Sequence, residues 1–380
     1  MNGIYIHIPF CKQACSYCDF YFVTQLKLRP AFLEALVSEI KFRGRFLNNG
    51  EIFDTIYIGG GTPSLLAAGD IERILQTLNR ELHLDLKEIT IEMNPDDVTE
   101  GYLKELKQLG IDRVSLGVQS FNSKLLTFMH RAHNPEQAVY ALETIQKTGF
   151  KTYTADLIYG NPNQTIDDLE SDIKRLLEFD PPHISAYSLT IEPNTRLGKQ
   201  VELGRLIPPD EDTVSDHFKC IQATLASHGI RQYEVSNYAL PGHEALHNSN
   251  YWNHHNYLGF GPAAHSFWWD TKDKARRWQN RRDLKEYLKQ DFSQITDEVE
   301  ILDLHQLAEE RIMLGLRTTE GVSVPDLKKI YGYSLSKPQL MWIQKQHDQY
   351  LLKGKSDRIH VTSQGIGIAD YLVVELLSRH

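Results

Sequence analysis

Apolar residues in the first half of the chain fall into two alternating rhythms. Short β-branched runs occur at 4–8 (IYIHI), 55–58 (TIYI), 88–93 (EITIEM), 113–118 (RVSLGV), 154–159 (TADLIY) and 183–189 (HISAYSL). Between them, the stretches 30–47, 69–82, 99–109, 135–148 and 166–179 carry apolar residues at helical spacing. Repeated alternation of strand and helix predicts an α/β fold with a parallel sheet and right-handed crossovers. Six strands are fewer than a complete barrel holds, so the expected core is a partial (β/α)6 barrel. Ligands in such folds bind beyond the carboxyl ends of the strands.

The rhythm changes in the second half. Prolines and glycines between 193 and 209 mark a transition, followed by a helical stretch at 212–227 and a short strand around 232–235. Residues 243–269 are rich in His, Asn and aromatics. From about 296 the pattern reads as mostly helical, with a short strand near 358–362, a glycine-marked turn and a terminal helix. That order predicts a smaller, winged-helix-like C-terminal domain. The expected division is a core domain over 1–200, a connecting region over 201–295 and the C-terminal domain over 296–380.

Composition narrows the class. With 380 residues, 41% hydrophobic and 24% charged, the chain reads as a soluble globular protein. It has no apolar run near the ~20 residues of a membrane-spanning helix, and MNGIYIHIPF lacks the marks of a secretory signal. A cytoplasmic location is expected. The net charge of -9, from 41 basic and 50 acidic residues, argues against a nucleic-acid partner. A local exception is KARRWQNRR at 274–282, with five basic residues around Trp278. A solvated loop or helix face is the plain reading; a docking patch for acidic lipid headgroups or propionates is the alternative.

Four cysteines are too few for a disulfide scaffold, and three of them cluster. Cys11, Cys15 and Cys18 follow the first strand with the spacing C-x3-C-x2-C. Thiolates are the ligands that iron–sulfur clusters require, and short spacing lets one loop wrap a cluster. Three local ligands leave one metal position open. Zinc is the alternative, but neither a His nor a fourth Cys lies at matching spacing. Cys220, among Val214, Phe218, Ile221 and Leu225, reads as a small structural hydrophobe. Gly59-Gly60-Gly61-Thr62-Pro63 follows the second strand, where glycines permit close backbone approach to a ligand; an ordinary turn is the alternative. Glu92 can accept hydrogen bonds from a ribose or an ammonium. Gln119 and Asp156 sit in strands, where an unpaired polar group is costly. Arg131 offers a planar donor fork suited to a carboxylate.

Written CKQACSYC after a first strand, the triad resembles that of the radical S-adenosylmethionine superfamily. The resemblance implies a [4Fe–4S] cluster on Cys11, Cys15 and Cys18, with the amino and carboxylate groups of S-adenosylmethionine on the open iron. It implies a 5′-deoxyadenosyl radical after reductive cleavage, with Tyr17 shielding cluster and adenine. YIHIPFC, GGGTPS, EMNP, SLGVQSF, HRAH and DLIYG are similar, in order, to the branch containing oxygen-independent coproporphyrinogen III oxidase (HemN) and the HemW haem chaperones. That resemblance covers nearly the whole chain and places Tyr5, Gly60, Gly61, Thr62, Glu92, Gln119, Arg131 and Asp156 at cofactor-binding positions. Asn161 and Asn163 stand where the family usually has Leu and Gly, so this loop is expected to be shaped differently.

Two features resemble the chaperones rather than the oxidase. Phe20 stands where the oxidase has a further cysteine, and the chain starts three residues before the first strand, where the oxidase carries an extension. His247-Asn248-Ser249-Asn250-Tyr251-Trp252 is similar to the HNxxYW signature associated with haem in the chaperone group. A neutral imidazole is a good axial ligand for haem iron, and Tyr251 and Trp252 could stack on a macrocycle. An ordinary aromatic loop is the alternative. His243, His254, His255 and His265 surround the motif, so His247 leads the candidates without excluding them. The implied function is a haem chaperone that passes haem to acceptor haemoproteins, respiratory-chain ones included. A peripheral contact at the inner face of the cell membrane and a second copy of the chain are further candidate partners. Oxidative decarboxylation of coproporphyrinogen III is the competing reading.

Overall fold

The structure is a computed structural model and describes residues 1–45, 50–354 and 357–379. The apolar runs form parallel strands β1 (Gly3–Ile8), β2 (Ile52–Gly60), β3 (His83–Met93), β4 (Arg113–Gln119), β5 (Thr152–Tyr159) and β6 (His183–Ser188). Each strand pairs in parallel with the next. The crossovers are α1 (Arg29–Gly44), α2 (Ala68–Glu81), α3 (Glu100–Gln108), α4 (Ser123–Phe128), α5 (Pro135–Thr148) and α6 (Ile166–Leu177). Local chemistry sets their ends. Asn134 and Gln137 form a reciprocal cap at the start of α5, and Gly149 closes it at φ 77°. The last residues of the helix expected over 30–47 lie outside the described residues.

The barrel is open. β1 pairs with β2 on one side and with β9 (Tyr257–Phe260) on the other, again in parallel, rather than with β6. Beyond β6, after α7 (Arg196–Glu202) and α8 (Glu211–Ser227), the sheet continues antiparallel through β7 (Arg231–Gln232) and β8 (Asn237–Ala239). The short strand expected around 232–235 is thus replaced by two shorter ones flanking a turn. α9 (Leu246–Trp252) precedes β9, so the HNSNYW stretch is a helix and not a loop. Beyond β9 follow β10 (His265–Thr271), β11 (Lys274–Asn280) and, after α10 (Leu284–Tyr287), β12 (Thr296–Leu302). The basic stretch at 274–282 is therefore mostly strand, neither loop nor helix face, held between β10 and β12 by antiparallel pairing on both sides. Residues 296–302 are likewise strand where helix was expected.

The C-terminal part packs α11 (Leu304–Leu316), α12 (Val324–Tyr331), α13 (Lys337–Asp348) and α14 (Ala369–Leu377) around a second core containing Leu307, Ile312, Leu327, Trp342 and Leu372. Its small wing is the antiparallel set β13 (Val322–Ser323), β15 (Arg358–Val361) and β14 (Leu352–Lys353). The main core runs from Ile4 to Ile295 and takes in Tyr238, Leu258, Phe260 and Tyr287. Residues 201–295 therefore contribute to the main sheet and its core.

One buried carboxylate joins the early and late parts of that sheet. Glu39 of α1, fully buried, accepts from Arg43 Nε at 2.9 Å and Asn280 Nδ2 at 2.9 Å. Its other oxygen accepts from the Gly261 N–H at 2.8 Å and the Tyr287 hydroxyl at 2.6 Å. Burying a carboxylate is tolerated only when its acceptor positions are filled, and here four donors fill them.

Candidate functional site

A cavity of about 850 Å³ opens at the carboxyl ends of the parallel strands. Its wall includes Cys11, Cys15 and Cys18, the Gly60–Thr62 turn, Tyr5, Glu92, Gln119, Arg131 and Asp156. Every cofactor-binding position expected from the sequence except His247 thus meets in one space.

The cysteine loop is held from two sides. The Cys11 N–H donates to Val23 O at 3.0 Å, and the Ser16 N–H and hydroxyl donate to Met129 O and Phe128 O, each at 3.0 Å. Burial pushes the Cys11 thiol up to about 11 and the Cys18 thiol up to about 12. Such thiols give up their protons when a cation binds them. Among the described residues, no three His, Cys, Asp or Glu side chains are placed to hold a single metal ion.

The glycine turn touches this loop directly. Gly60 adopts φ 115°, a left-handed conformation that favours glycine, and its N–H donates to Glu92 Oε2 at 3.0 Å. A Cβ on Gly61 would lie 2.7 Å from Phe10 O and 3.0 Å from Cys11 Sγ. The Thr62 hydroxyl lies 3.6 Å from Cys11 Sγ.

Two carboxyls face the same cavity. Glu92 accepts from the Tyr57 hydroxyl at 2.8 Å, yet burial, with the negative charge of Asp156, raises its pKa to about 7. Burial likewise raises Asp156 to about 6, partly offset by the Ser185 and Ser115 hydroxyls. A cationic ligand would favour the ionised form of both. Gln119 ends β4 beside a register shift, with φ 66°, and its buried Oε1 has no partner. Arg131 spends its terminal nitrogens on protein: Nη1 approaches Cys15 Sγ at 3.5 Å and Tyr17 Oη at 3.3 Å, while Nη2 donates to Asn94 Oδ1 at 2.7 Å and Gly117 O at 3.1 Å. Only its Nε is buried without a partner. Asn161 is fully buried and bonds Ile158 O and Gln164, which gives the departing loop its own internal brace.

His247 is placed differently from the expectation. It is 1% exposed, with Nδ1 2.8 Å from Thr55 Oγ1 and Nε2 2.8 Å from Tyr251 Oη. Its ring stacks on Tyr57 at 5.2 Å, and burial lowers its pKa to about 3. The N–H groups of Leu246 and His247 at the start of α9 donate to Glu88 at 3.0 and 2.9 Å. Both ring nitrogens are taken by protein, so His247 is not presented as an open ligand; it supports Tyr57 and Tyr251, which do line the cavity.

Sequence reasoning missed several wall residues. His7 lines the cavity with both ring nitrogens engaged, by Tyr5 Oη at 3.1 Å and Tyr21 O at 2.8 Å. Its place in YIHIPF, one residue from the strand end, was an available signal. Tyr257 comes from β9 with no local motif to announce it; His265, Gln279 and Arg282, from β10, β11 and the turn after them, fall in stretches already singled out in the sequence, though not as part of this wall.

The radical SAM superfamily model matches residues 5–176, and the HemN C-terminal domain model matches 302–367. The chain is 36% identical over 378 residues to the haem chaperone HemW of Lactococcus lactis, covering 99% of this chain and 97% of that relative. The haem chaperone HemW of Bacillus subtilis is 34% identical over 379 residues, covering 96% of each. The chain belongs to the HemW family. The crystallised coproporphyrinogen III oxidase HemN of Escherichia coli superimposes with a TM-score of 0.83 at 23% identity, over 99% of this chain and 89% of that one. The partial barrel with its C-terminal domain is therefore the HemN fold. For the cluster and S-adenosylmethionine of the superfamily, the residues present fit: three converging thiols, a glycine turn against them, two buried carboxyls, and unpaired Gln119 Oε1 and Arg131 Nε. When bound, the cluster would supply an electron to the sulfonium of the cofactor.

Proposed function

We propose that this chain is a haem chaperone: it binds haem together with a [4Fe–4S] cluster and S-adenosylmethionine, and delivers haem to acceptor haemoproteins, respiratory-chain ones among them. The observation that carries this reading is the full-length match to HemW proteins. Two features of the site support it. Phe20, 72% exposed beside the cluster loop, provides no further thiol. The cavity lining also includes Tyr187, Tyr251 and Tyr257, aromatic surface suited to a flat macrocycle.

The cysteines would hold the cluster; Gly60, Gly61 and Thr62 would approach the methionine part of the cofactor; Glu92, Asp156, Gln119 and Arg131 would orient its polar groups. Among the described residues no helix is long and apolar enough to cross a membrane. A cytoplasmic site of action with at most peripheral membrane contact fits the charge pattern, because three of the basic residues at 274–282 are already paired. Arg276 meets Asp270 at 3.0 Å, Arg277 meets Glu300 at 2.6 Å and Arg281 meets Asp297 at 3.2 Å.

Anaerobic reconstitution tests the reading. Haem is expected to bind at about one per chain and to move to an added apo-haemoprotein, with no decarboxylation of coproporphyrinogen III when S-adenosylmethionine is present. Turnover of the porphyrinogen without haem transfer would refute it.

A further inference from the structure

We propose that the tyrosines of the cavity wall, continued outward by Phe267 and Trp269, carry one-electron oxidising equivalents from the cavity to the protein surface; the use made of this route rests on the haem-carrying reading above. Tyr5, Tyr57, Tyr251 and Tyr257, from β1, β2, α9 and β9, all line the cavity. Their rings form a continuous file. Tyr5 stacks on Tyr57 with centroids 6.1 Å apart, and the His247 ring bridges Tyr57 and Tyr251 at 5.2 and 5.1 Å. Tyr251 meets Tyr257 edge-on at 4.6 Å. From there the file leaves the cavity. Phe267 of β10 stands 6.3 Å from Tyr257 and 6.1 Å from Trp269. Trp269 is half-buried and is followed by exposed Asp270, so the file ends at the surface.

Packing alone accounts for ring contacts, but not for the proton acceptors set beside them. A tyrosine gives up an electron at moderate cost only if its phenolic proton leaves too. Burial keeps these phenols protonated by raising their pKa values, so each needs a neighbour that accepts. Three have one in contact. His7 Nε2 faces the Tyr21 carbonyl at 2.8 Å, which can only accept, so Nε2 carries the proton and Nδ1 is the acceptor 3.1 Å from Tyr5 Oη. Tyr57 donates to Glu92 Oε1 at 2.8 Å, and Tyr251 Oη lies 2.8 Å from His247 Nε2. Ferric haem held against this wall supplies the oxidising equivalents when it meets hydrogen peroxide. The O–O bond breaks, one oxygen leaves as water with both protons, and the other stays on iron. Iron gives one of the two electrons and a wall tyrosine gives the second, its proton passing to His7, Glu92 or His247. Electron transfers along the file then restore that tyrosine and leave the deficit on Trp269. Two thiols in solution refill Trp269 and iron with one electron each and join as a disulfide, while the remaining oxygen leaves as water. The net reaction is thiol-dependent reduction of peroxide to two waters, with the porphyrin ring spared.

Pulse radiolysis of the full-length chain, before haem is added, tests the route by itself. Azide radicals oxidise tryptophan first, and tryptophanyl absorption should then decay as tyrosyl absorption grows, in a first-order step independent of protein concentration. Tyr331 also lies 5.9 Å from Trp269, with its hydroxyl 3.3 Å from His254 Nδ1, so variants are compared in a Tyr331→Phe background. There Tyr257→Phe, which keeps the ring, and Trp269→Phe should each lose most of the fast phase. Tyr140→Phe, at an exposed position of α5, should lose none. In the haem-loaded chain given hydrogen peroxide and a spin trap, peptide mapping should find the adduct on Trp269. Tyr257→Phe should move that adduct inward and bleach the haem faster. No tyrosyl growth, equal transfer in both variants and their background, or wild-type adducts confined to the cavity would overturn the inference. Radiolytic transfer in a chain that binds no haem would uphold the route and sink the haem-carrying reading.

Discussion

Replacing Glu39 with Ala tests whether one carboxylate ties the two parts of the main sheet together. The change leaves the Gly261 N–H and the Tyr287 hydroxyl as buried donors without their acceptor. Each such donor costs about 1–3 kcal/mol. Asn280 keeps a second acceptor, Gly261 O at 2.8 Å, and Arg43 is partly exposed, so neither adds a full penalty. The sum is about 4 kcal/mol, in line with the ~3–5 kcal/mol seen when one partner of a buried ion pair is removed. Thermal unfolding should shift down by roughly 5 °C. Glu39→Gln keeps the shape and one acceptor oxygen but turns an amide N–H₂ toward existing donors, so about half the loss is expected. A double-mutant cycle with Tyr287→Phe should return a coupling of about 1.5–3 kcal/mol for a hydrogen bond to a charged group. Urea titration measures all three. A loss below about 1 kcal/mol in Glu39→Ala, or no coupling to Tyr287, would refute the role assigned to this carboxylate.

Serine at Cys11, Cys15 or Cys18 should each remove the cluster, read as iron and sulfide content after anaerobic reconstitution. Cys220→Ser should leave that content unchanged, since Cys220 on α8 packs against the main core with its Sγ 4.0 Å from the Thr224 hydroxyl. Gly61→Ala forces a methyl against Phe10 O and Cys11 Sγ, so it should cost about 1–3 kcal/mol and lower cluster occupancy; wild-type iron content would contradict the packing argument. Glu234, 1% exposed, has its pKa raised by burial to about 7. A raised carboxyl contributes stability below the unfolded-state pKa and loses it as pH rises through the folded value. Ionisation therefore costs about 3 kcal/mol at pH ~8, and Glu234→Gln should surpass wild type in urea midpoint there while matching it near pH ~5. Equal pH profiles for the two proteins would exclude the assignment.

Legibility of the fold followed burial. Strands β1–β6 are buried over most of their length, so their apolar runs stand out, and caps such as Asn134 punctuate the helices between them. β11 hid in KARRWQNRR because its arginines pair with acids of neighbouring segments, information that lies outside the stretch itself. α9 is too short to display a helical period. The same division holds at the site. Residues on the ends of β1–β5 were legible because each sits in a compact local motif. The wall of Tyr257, His265 and Arg282 was not, because it depends on β9 pairing with β1, a contact as distant as Gly3 with Tyr257. His247 lies outside the cavity lining for a related reason. Its motif identifies an imidazole, but the turn of α9 on Glu88 decides which way that imidazole faces.

The position of β1 between β2 and β9 also constrains how the protein is made. The cysteine loop leaves β1 among the first residues to be synthesised, yet one flank of that strand has no partner until Tyr257–Phe260 exists. The brace from Arg282 to Asp19 comes later still. A nascent chain therefore exposes three thiols and an unpaired strand edge through most of translation, a state prone to oxidation and mispairing. The last of these contacts forms only after the ribosome has passed Arg282. Expression slowed within codons 20–256 should accordingly yield more cluster-free, aggregated protein than the same slowing placed after residue 300.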